Sequence, residues 1–197
     1  RIQLILRFNN AEPVEYDLSK LENKIAVLAR SWRDDLQQAM IEGFGEEQSN
    51  RLMDRYREAF PGSYRDEFSA RTAVYDIHHI SELEEGEPLS LSLYRLVEED
   101  VDGVNLKLFH KDHSIPLSDV LPVMENLGLR VLGERPYCIH REDGDVWIHD
   151  FDLEHHANGI VDLQEMRDTF IDAFKRIWVG DAENDPFNRL VIGANLA

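Results

Sequence analysis

The residues best suited to chemistry form a run of histidines and carboxylates in the second half of the chain, from His149 to His156. If this run is a β-strand, Asp150, Asp152, Glu154 and His156 share one face, because successive side chains of a strand point to opposite faces. Carboxylate and imidazole groups can bind a divalent metal ion. Neighbours on one strand face are about 6.6–7 Å apart, so the strand must bend before they can share an ion. The other interpretation is the solvated face of an edge strand.

Two further groups combine a histidine with a second reactive side chain. His110, Asp112 and His113 surround a loop between a predicted strand and a predicted helix, and a histidine–aspartate pair can transfer protons. Cys138 and His140 share a strand face, but a catalytic thiolate also needs an oriented base and an activating charge. The neighbouring sequence marks no nucleophile for the first group and no such base for the second. These residues therefore predict no complete active site.

The composition excludes several classes of protein. The chain has 21 basic and 39 acidic residues, a net charge of −18, which disfavours nucleic acid and anionic membranes as partners. No apolar run approaches the roughly 20 residues that span a bilayer. A single cysteine, Cys138, excludes a disulfide framework and predicts a reducing, cytoplasmic setting. The chain contains no CxxC, GxGxxG or GxxxxGK[ST] motif, so we expect it to bind no cofactor itself.

The stretch that positions these residues begins with a strand and a helix. Val104, Leu106 and Leu108 alternate with less apolar residues, which predicts a strand with one buried face. After the loop, Ser118 is the expected N-cap of a helix, and Gly128 is the expected residue just past its end. The effect is to place the loop histidines between a strand end and a helix start.

The rest of this stretch predicts a sheet. A second strand contains Gly133 and Pro136, which indicate a bulge or bend. Asp143 and Gly144 then favour a two-residue hairpin loop, and Val146–Leu153 forms the next strand. A strand at Leu89–Val97 is the expected hairpin partner of the first strand, and a helix from Asp162 to about Val179 is expected to end the domain. This order of elements predicts an α+β fold with a ferredoxin-like antiparallel sheet and packed helices. 

Residues 19–84 predict an inserted helical subdomain. A capping box at Ser19 opens a helix whose apolar stripe runs to Met40. A second helix is expected over Glu46–Phe60, and a third is expected to start at Ser63. Amphipathic stripes of this kind are typical of packing modules, and the sequence leaves open how the subdomain docks on the sheet.

Four side chains on these helices carry further expectations. Trp32 and Trp178 lie on the apolar stripes, and truncating either to alanine is expected to cost about 3–5 kcal/mol if it is buried. His78 and His79 point to different sides of the third helix. We interpret both histidines as structural or surface residues.

The two ends of the chain indicate a segment of a larger protein. Residues 1–10 alternate as a strand and begin at Arg1, which suggests the last strand of a preceding domain. Residues 184–197 begin a helical pattern at Pro186, which suggests the start of a following region.

Short phrases spread along most of the chain, from about Leu28 to Leu196, resemble the large bacterial NAD-specific glutamate dehydrogenases. They are WRDDL (32–36), RYREAFP (55–61), LKLFH (106–110), PLSDVLP (116–122), ENLGLRV (125–131), ERPY (134–137), VWIHDF (146–151), DAF (172–174), IW (177–178) and NRLV (188–191). The resemblance is to the long regulatory half of that family, which carries successive ACT-like domains. It implies that residues 89–179 are one ACT-like domain.

The resemblance also implies a function. The parent enzyme would oxidise L-glutamate with NAD to 2-oxoglutarate and ammonium, with the catalytic domain further downstream, so this segment is expected to be non-catalytic. Its partners would be the rest of the same polypeptide, a homo-oligomer and an amino-acid effector. The effector loop of ACT domains would correspond here to Asp112, His113, Pro116 and Ser118. Residues 110–116 lack the glycine that such loops use for close ligand approach, which favours scaffolding over sensing.

Two alternatives belong to other classes. One is a free-standing metal-dependent hydrolase that uses Asp150, Asp152 and His156. The other is a plain homodimerisation module. The metal content would distinguish the first, and the dependence of mass on concentration would distinguish the second.

Overall fold

Six α-helices and four β-strands make up the described residues, which are 31–95, 103–155 and 163–190 of a computed structural model. In chain order these elements are α1 (Trp32–Phe44), α2 (Glu46–Tyr56), α3 (Gly62–Glu67), α4 (Ala70–Glu84), β1 (Ser90–Tyr94), β2 (Gly103–Lys111), α5 (Leu117–Asn126), β3 (Leu129–Ile139), β4 (Val146–His155) and α6 (Leu163–Trp178). A 3-10 turn, Pro186–Asn188, follows them.

The four strands form one antiparallel sheet in the order β1-β2-β4-β3. The unit β2-α5-β3-β4-α6 has the predicted β-α-β-β-α order, and β1 pairs with the free edge of β2. In the centre of the sheet Leu106 lies between Leu93 and Phe151. The predicted α+β fold, with an antiparallel sheet, packed helices and a helical part ahead of them, is confirmed.

Helices cover both faces of the sheet. On one face, buried side chains such as Leu106 and Phe151 pack with Phe174 of α6 and with α5. On the other face, Phe109 and Ile148 pack with α1–α4, which we call the helical motif. The prediction that β2 has a single buried face is wrong, because residues 104–109 are all buried. The polar side chains on the second face made the strand look half-exposed in the sequence.

The predicted helix boundaries in the helical motif need correction. Ser31 is extended and caps α1 by accepting a hydrogen bond from the Asp34 backbone, so a helix from Ser19 cannot continue through it. The start at Ser19 lies outside the described residues. The third predicted helix is two helices, because Ser69 caps a new one at Ala70. The second ends at Tyr56 rather than at residue 60.

The predicted ends of α5 are half right. Ser118 is not the N-cap, because the helix starts one residue earlier and Pro116 occupies the N-cap position. Proline fixes its own φ in a range that suits this junction, so no side-chain cap signal was needed. Gly128 is confirmed just past the helix end, where its φ of 88° suits glycine. Pro122 is the sixth residue of the helix and lies in its second turn.

The bulge in β3 is confirmed between Val131 and Gly133. The strand nevertheless continues past Pro136 to Ile139, so the expected interruption there is wrong. The hairpin between β3 and β4 is longer than the predicted two residues and covers residues 140–145. It includes Gly144 at a φ of 123°.

At the C-terminal end, the predicted helix after Pro186 begins as a 3-10 turn, and residues after 190 lie outside the described part. The predicted strand at residues 1–10 lies outside it as well. Trp32 and Trp178 are only partly buried, so their truncation should cost less than the value for a fully buried ring. Among the described residues, no helix is both long and apolar enough to cross a membrane.

The second buried face gives a testable expectation for Phe109. This side chain is 0% exposed and lies in the layer between the sheet and the helical motif. Phe109→Ala should lower the free energy of unfolding by about 3–5 kcal/mol, since it leaves a cavity in the core. Urea denaturation followed by circular dichroism measures this change.

The matched control is Tyr75→Ala on α4, where the ring is 71% exposed. Its effect should stay within about 0.5 kcal/mol, as for other surface substitutions. Equal effects of the two variants would show that the helical motif does not cover this face.

Candidate functional site

A buried lysine, Lys107, lies at the centre of the layer between β2 and the helical motif. Its Nζ donates a 2.6 Å hydrogen bond to Asp76 of α4, and both side chains are almost fully buried. The hydroxyl of Tyr64 donates to the same carboxylate oxygen at 2.5 Å. The ammonium group is 3.6 Å from the centroid of the Phe68 ring, with the Tyr64 and Tyr94 rings at 5.4 and 5.7 Å. An aromatic cage and one carboxylate thus hold this charge.

A second network lies on the same sheet face, next to this cage. Arg135 of β3 donates to Asp150 at 3.1 Å and to both oxygens of Asp152, at 2.7 and 3.0 Å. The Tyr94 hydroxyl donates to Asp150 at 2.7 Å, and the amide of Asn105 donates to Asp152 at 2.9 Å. The network joins all four strands, because each of them contributes at least one member.

Burial changes the ionisation of this network. Desolvation raises the pKa of Asp150 above its ordinary value, against the opposing effects of Tyr94, Lys107 and Arg135. Desolvation also raises the pKa of Tyr94, and the neighbouring Asp150 charge adds to this effect. The tyrosine therefore remains a donor at neutral pH, which is the role its hydrogen bond requires.

The residues of the predicted metal site are placed only in part. Asp150 and Asp152 do share the predicted strand face, but Arg135 binds both carboxylates. Glu154, on the same face, pairs with Arg130 of β3. His156 lies outside the described residues. The two aspartates are thus used in ion pairs between strands.

His149 connects β4 to the predicted effector loop. Its Nε2 accepts the backbone N–H of Ile115 at 3.2 Å and lies 3.4 Å from the Ser114 hydroxyl oxygen. The N–H bond requires an unprotonated Nε2, so Nδ1 carries the proton and donates it to Glu134 at 2.7 Å. The buried imidazole therefore fixes the loop to the sheet, and Glu134 fixes the imidazole.

The predicted effector residues lie around this fixed loop. Asp112 has a φ of 69°, the left-handed conformation that glycine would usually supply, and its N–H donates to the Asp145 carbonyl at 2.9 Å. Asp112 still carries a side chain, so the expectation that this loop lacks the close ligand approach of a glycine stays a prediction. The His113 ring packs edge-on against His110 at 4.6 Å. Pro116 and Ser118 lie at the start of α5, where the Ser118 hydroxyl is 3.2 Å from Asp119.

His78 and His79 differ in their surroundings, as predicted from their positions on the helix. His78 is exposed and packs on Phe44, with ring centroids 4.3 Å apart. His79 stacks on Phe109 at 5.0 Å, and its Nδ1 lies 2.8 Å from the Ser90 hydroxyl oxygen. That hydroxyl donates to Glu82, so Nδ1 is the donor to the serine. His79 is therefore a structural contact between α4 and β1.

Cys138 and His140 meet at the end of the β3–β4 hairpin. The Cys138 Sγ is 3.6 Å from His140 Nδ1, which is 3.1 Å from Asp145 Oδ1. Burial raises the pKa of the Cys138 thiol to about 11, with a further contribution from Asp145. The thiol is therefore protonated at neutral pH, unlike an activated nucleophile. Asp145 is a member of this group that the sequence did not reveal.

Sequence reasoning also missed the centre of the site. Lys107 was assigned to an open strand face, and Asp76, Arg135 and Glu134 were not singled out for any role. Their only signal was a charged residue inside an otherwise apolar strand or helix, because fully buried charges are rare unless paired. The partners are far apart in the chain, so the pattern alone could not connect them.

Comparison with known proteins shows which protein family has this architecture. The model "Glutamate dehydrogenase, ACT3 domain" matches residues 88–166, and the model "Glutamate dehydrogenase, helical motif 2" matches residues 39–83. The chain is 67% identical over 196 residues to an NAD-specific glutamate dehydrogenase of Halomonas elongata and 41% identical over 197 residues to that of Pseudomonas aeruginosa. It is 31% identical over 184 residues to that of Mycobacterium tuberculosis.

These matches cover 100%, 100% and 90% of the chain but only 12%, 12% and 11% of the three relatives. The fold and the two models define the class as an ACT-type α+β domain preceded by a helical motif. The chain belongs to the large NAD-specific glutamate dehydrogenases, of which it is a segment. The resemblance stated from sequence phrases is thereby confirmed.

The caged lysine predicts a large effect of removing its counter-charge. Asp76→Leu leaves the buried Lys107 ammonium unpaired and the Tyr64 hydroxyl without its acceptor, so it should cost about 3–5 kcal/mol of unfolding free energy. The triple variant Lys107→Met, Asp76→Leu, Tyr64→Phe replaces all three polar groups and should cost clearly less. Urea denaturation of both variants measures the difference. A triple variant that is less stable than Asp76→Leu alone would contradict this account.

His79 predicts a pH dependence of stability. Burial lowers the pKa of His79, against the charges of Glu82 and Asp76, while Arg167 lowers it further. In the unfolded chain the imidazole takes up a proton near pH 6.5, and the folded state resists this until lower pH. Its contribution to stability is therefore present above pH 6.5 or so and is lost as the pH falls below that value.

The variant His79→Gln removes this titration. The difference in unfolding free energy between it and the unaltered chain should shrink as the pH falls from about 7.5 to about 5. His78→Gln, at the exposed neighbour, is the control and should show a difference that varies less with pH. Thermal or urea unfolding across this range gives the result, and a pH-independent difference for His79→Gln would disprove the assignment.

Proposed function

We propose that this chain is a non-catalytic segment that regulates and assembles an NAD-dependent glutamate dehydrogenase in the cytoplasm. The observation that best supports this proposal is that the reactive side chains of the chain are paired with one another inside the fold. Lys107, Asp150, Asp152 and His149 would be natural candidates for acid–base chemistry, yet all four are paired within the fold, and only Asp152 is partly exposed. A segment whose charged groups hold its own elements together is suited to pass a movement of one domain on to the next.

The helical motif and the ACT-type domain form a continuous packed unit, which suits this role. The carboxylate of Asp76 in the motif accepts a hydrogen bond from Lys107 of β2. The backbone carbonyl of Ala59, also in the motif, accepts the N–H of His140. Arg55 of α2 also pairs with Asp143 in the β3–β4 hairpin. A displacement of the motif would therefore move both β2 and this hairpin.

The loop at residues 112–116 is the place where an amino-acid effector would act on this unit. Asp112 and His113 lie at the solvent-exposed turn, whereas Ile115 is held by His149. An effector bound at the turn would transmit its effect to β4 through this bond and through the bond from the Asp112 N–H to the carbonyl of Asp145, the residue before β4. The parent enzyme, by this proposal, oxidises glutamate with NAD in a homo-oligomer whose assembly this segment supports.

Calorimetry with a panel of amino acids tests the sensing part of the proposal on the 197-residue chain. We expect one ligand to give saturable heat that is lost in Asp112→Ala and in His113→Ala. His78→Ala, at an exposed histidine of the helical motif, is the control and should bind as the unaltered chain does. If no amino acid of the panel gives a heat of binding, the sensing part of the proposal is wrong and only the assembly part remains.

A chimaera tests the assembly part. The matching 196-residue segment of the Halomonas elongata relative would be replaced by this chain. We expect the chimaera to oxidise glutamate, and Asp76→Leu within it to reduce the assembled fraction in light scattering while the assembled enzyme keeps its KM for NAD. A change of that KM by more than about tenfold would instead place cofactor binding in this segment.

A further inference from the structure

The end of the β3–β4 hairpin brings together three potential metal ligands of different chemical type. Cys138 Sγ, the His140 imidazole and the Asp145 carboxylate all lie within 4.8 Å of one another. We call these three residues the hairpin cluster. Sulfur, nitrogen and oxygen ligands in this combination suit a borderline divalent ion such as zinc, and they suit magnesium or calcium poorly.

The spacing of the ligand atoms fits a tetrahedral ion. With zinc bonds of about 2.3 Å to sulfur and about 2.0–2.2 Å to nitrogen and oxygen, tetrahedral ligands stand about 3.6 Å apart for sulfur and nitrogen and about 3.3 Å apart for nitrogen and oxygen. The hairpin cluster has 3.6 Å between Cys138 Sγ and His140 Nδ1, and 3.1 Å between His140 Nδ1 and Asp145 Oδ1. Binding therefore needs only small side-chain movements.

The backbone holds the cluster in this arrangement. The N–H of His140 donates to the Ala59 carbonyl at 3.0 Å, and the carbonyl of Asp145 accepts the N–H of Asp112 at 2.9 Å. Cys138 lies within β3 opposite Trp147 of β4. Each ligand is thus fixed by a different neighbouring element, which lowers the entropy that a bound ion must overcome.

The surrounding charges also favour a cation. Arg141, next to His140 in the chain, has its guanidinium paired with Glu84 and bonded to the Tyr56 hydroxyl. Binding would release the thiol proton to solvent.

We propose that Cys138, His140 and Asp145 bind one zinc ion, with the fourth position open to water. The ion would join the end of β3 to the start of β4 at the point where the hairpin meets the helical motif and the loop at Asp112. Zinc would thereby stiffen the contact between the two parts of the segment. Zinc binding here requires neither an effector at the loop nor the assembly role, although Asp145 and the loop share the hydrogen bond from the Asp112 N–H.

Cobalt titration of the 197-residue chain under reducing, metal-free conditions tests the proposal. We expect one equivalent of Co²⁺ to give tetrahedral absorption bands with a thiolate-to-cobalt charge-transfer band, and zinc to displace it. Cys138 is the single cysteine of the chain, so the charge-transfer band reports on it alone. Cys138→Ser should abolish that band.

The exposed ligand supplies the sharper variant, since His140 is solvent-exposed and its replacement leaves the core intact. Loss of a residue that only supports a metal ligand weakens metal binding by roughly 10–100-fold. His140→Ala removes a direct ligand and should therefore weaken cobalt binding by at least this factor, and Asp145→Asn should also weaken it. His78→Ala is the matched control and should leave binding unchanged. Absence of the charge-transfer band, or equal affinity of His140→Ala and the unaltered chain, would overturn the site.

Discussion

The structure depends on a positive charge that is kept away from water. Lys107 lies in the second strand of the sheet, is 2% exposed, and has Asp76 of the helical motif as its counter-charge. An unpaired ammonium at this position would be strongly unfavourable, so the strand face and the helix must be together. The aromatic rings of Tyr64 and Phe68 complete the enclosure. This pair therefore fixes how the helical motif sits on the sheet.

Apolar packing supplies most of the stability around this pair, and the polar networks supply its specificity. The layer between the sheet and the motif contains a large cluster of aromatic and aliphatic side chains, which would tolerate small sliding movements by themselves. The fork of Arg135 on Asp150 and Asp152 fixes β3 against β4. The contact of His79 with Ser90 requires particular atoms of α4 and β1 to meet, and it therefore restricts how the motif can slide on the sheet.

The same contacts suggest how the segment serves a large enzyme. The motif touches β2 through Asp76 and the β3–β4 hairpin through Ala59 and Arg55. His149 connects the sheet to the loop at Ile115 on the opposite face. The motif, the hairpin and the loop are thus all joined to one sheet by hydrogen bonds and ion pairs. This view combines the family to which the chain belongs with the placement of its buried charges.

The sequence by itself determined the elements and the family. Alternation in Val104–Leu108, the glycine after α5 and the bulge at Gly133 are local signals, because each reflects the backbone geometry of a few adjacent residues. The short phrases shared with the glutamate dehydrogenases are likewise readable in order along the chain. The helix breaks at Ser31 and Ser69 were local as well, although longer apolar stripes hid them.

Only the tertiary structure decided what the charged residues do. Asp76 and Lys107 are 31 residues apart, and Arg135 lies 15 and 17 residues from its two aspartates. Whether such a charge is solvated, paired or able to bind a metal depends on which faces of the sheet are covered. Contacts between elements that are distant in the chain decide which faces those are. The run from His149 to His156 offered a possible metal site in the sequence, with Asp150 and Asp152 among its ligands. Folding directs both carboxylates to an arginine on one face and the His149 imidazole to a loop on the other, because successive strand residues point in opposite directions.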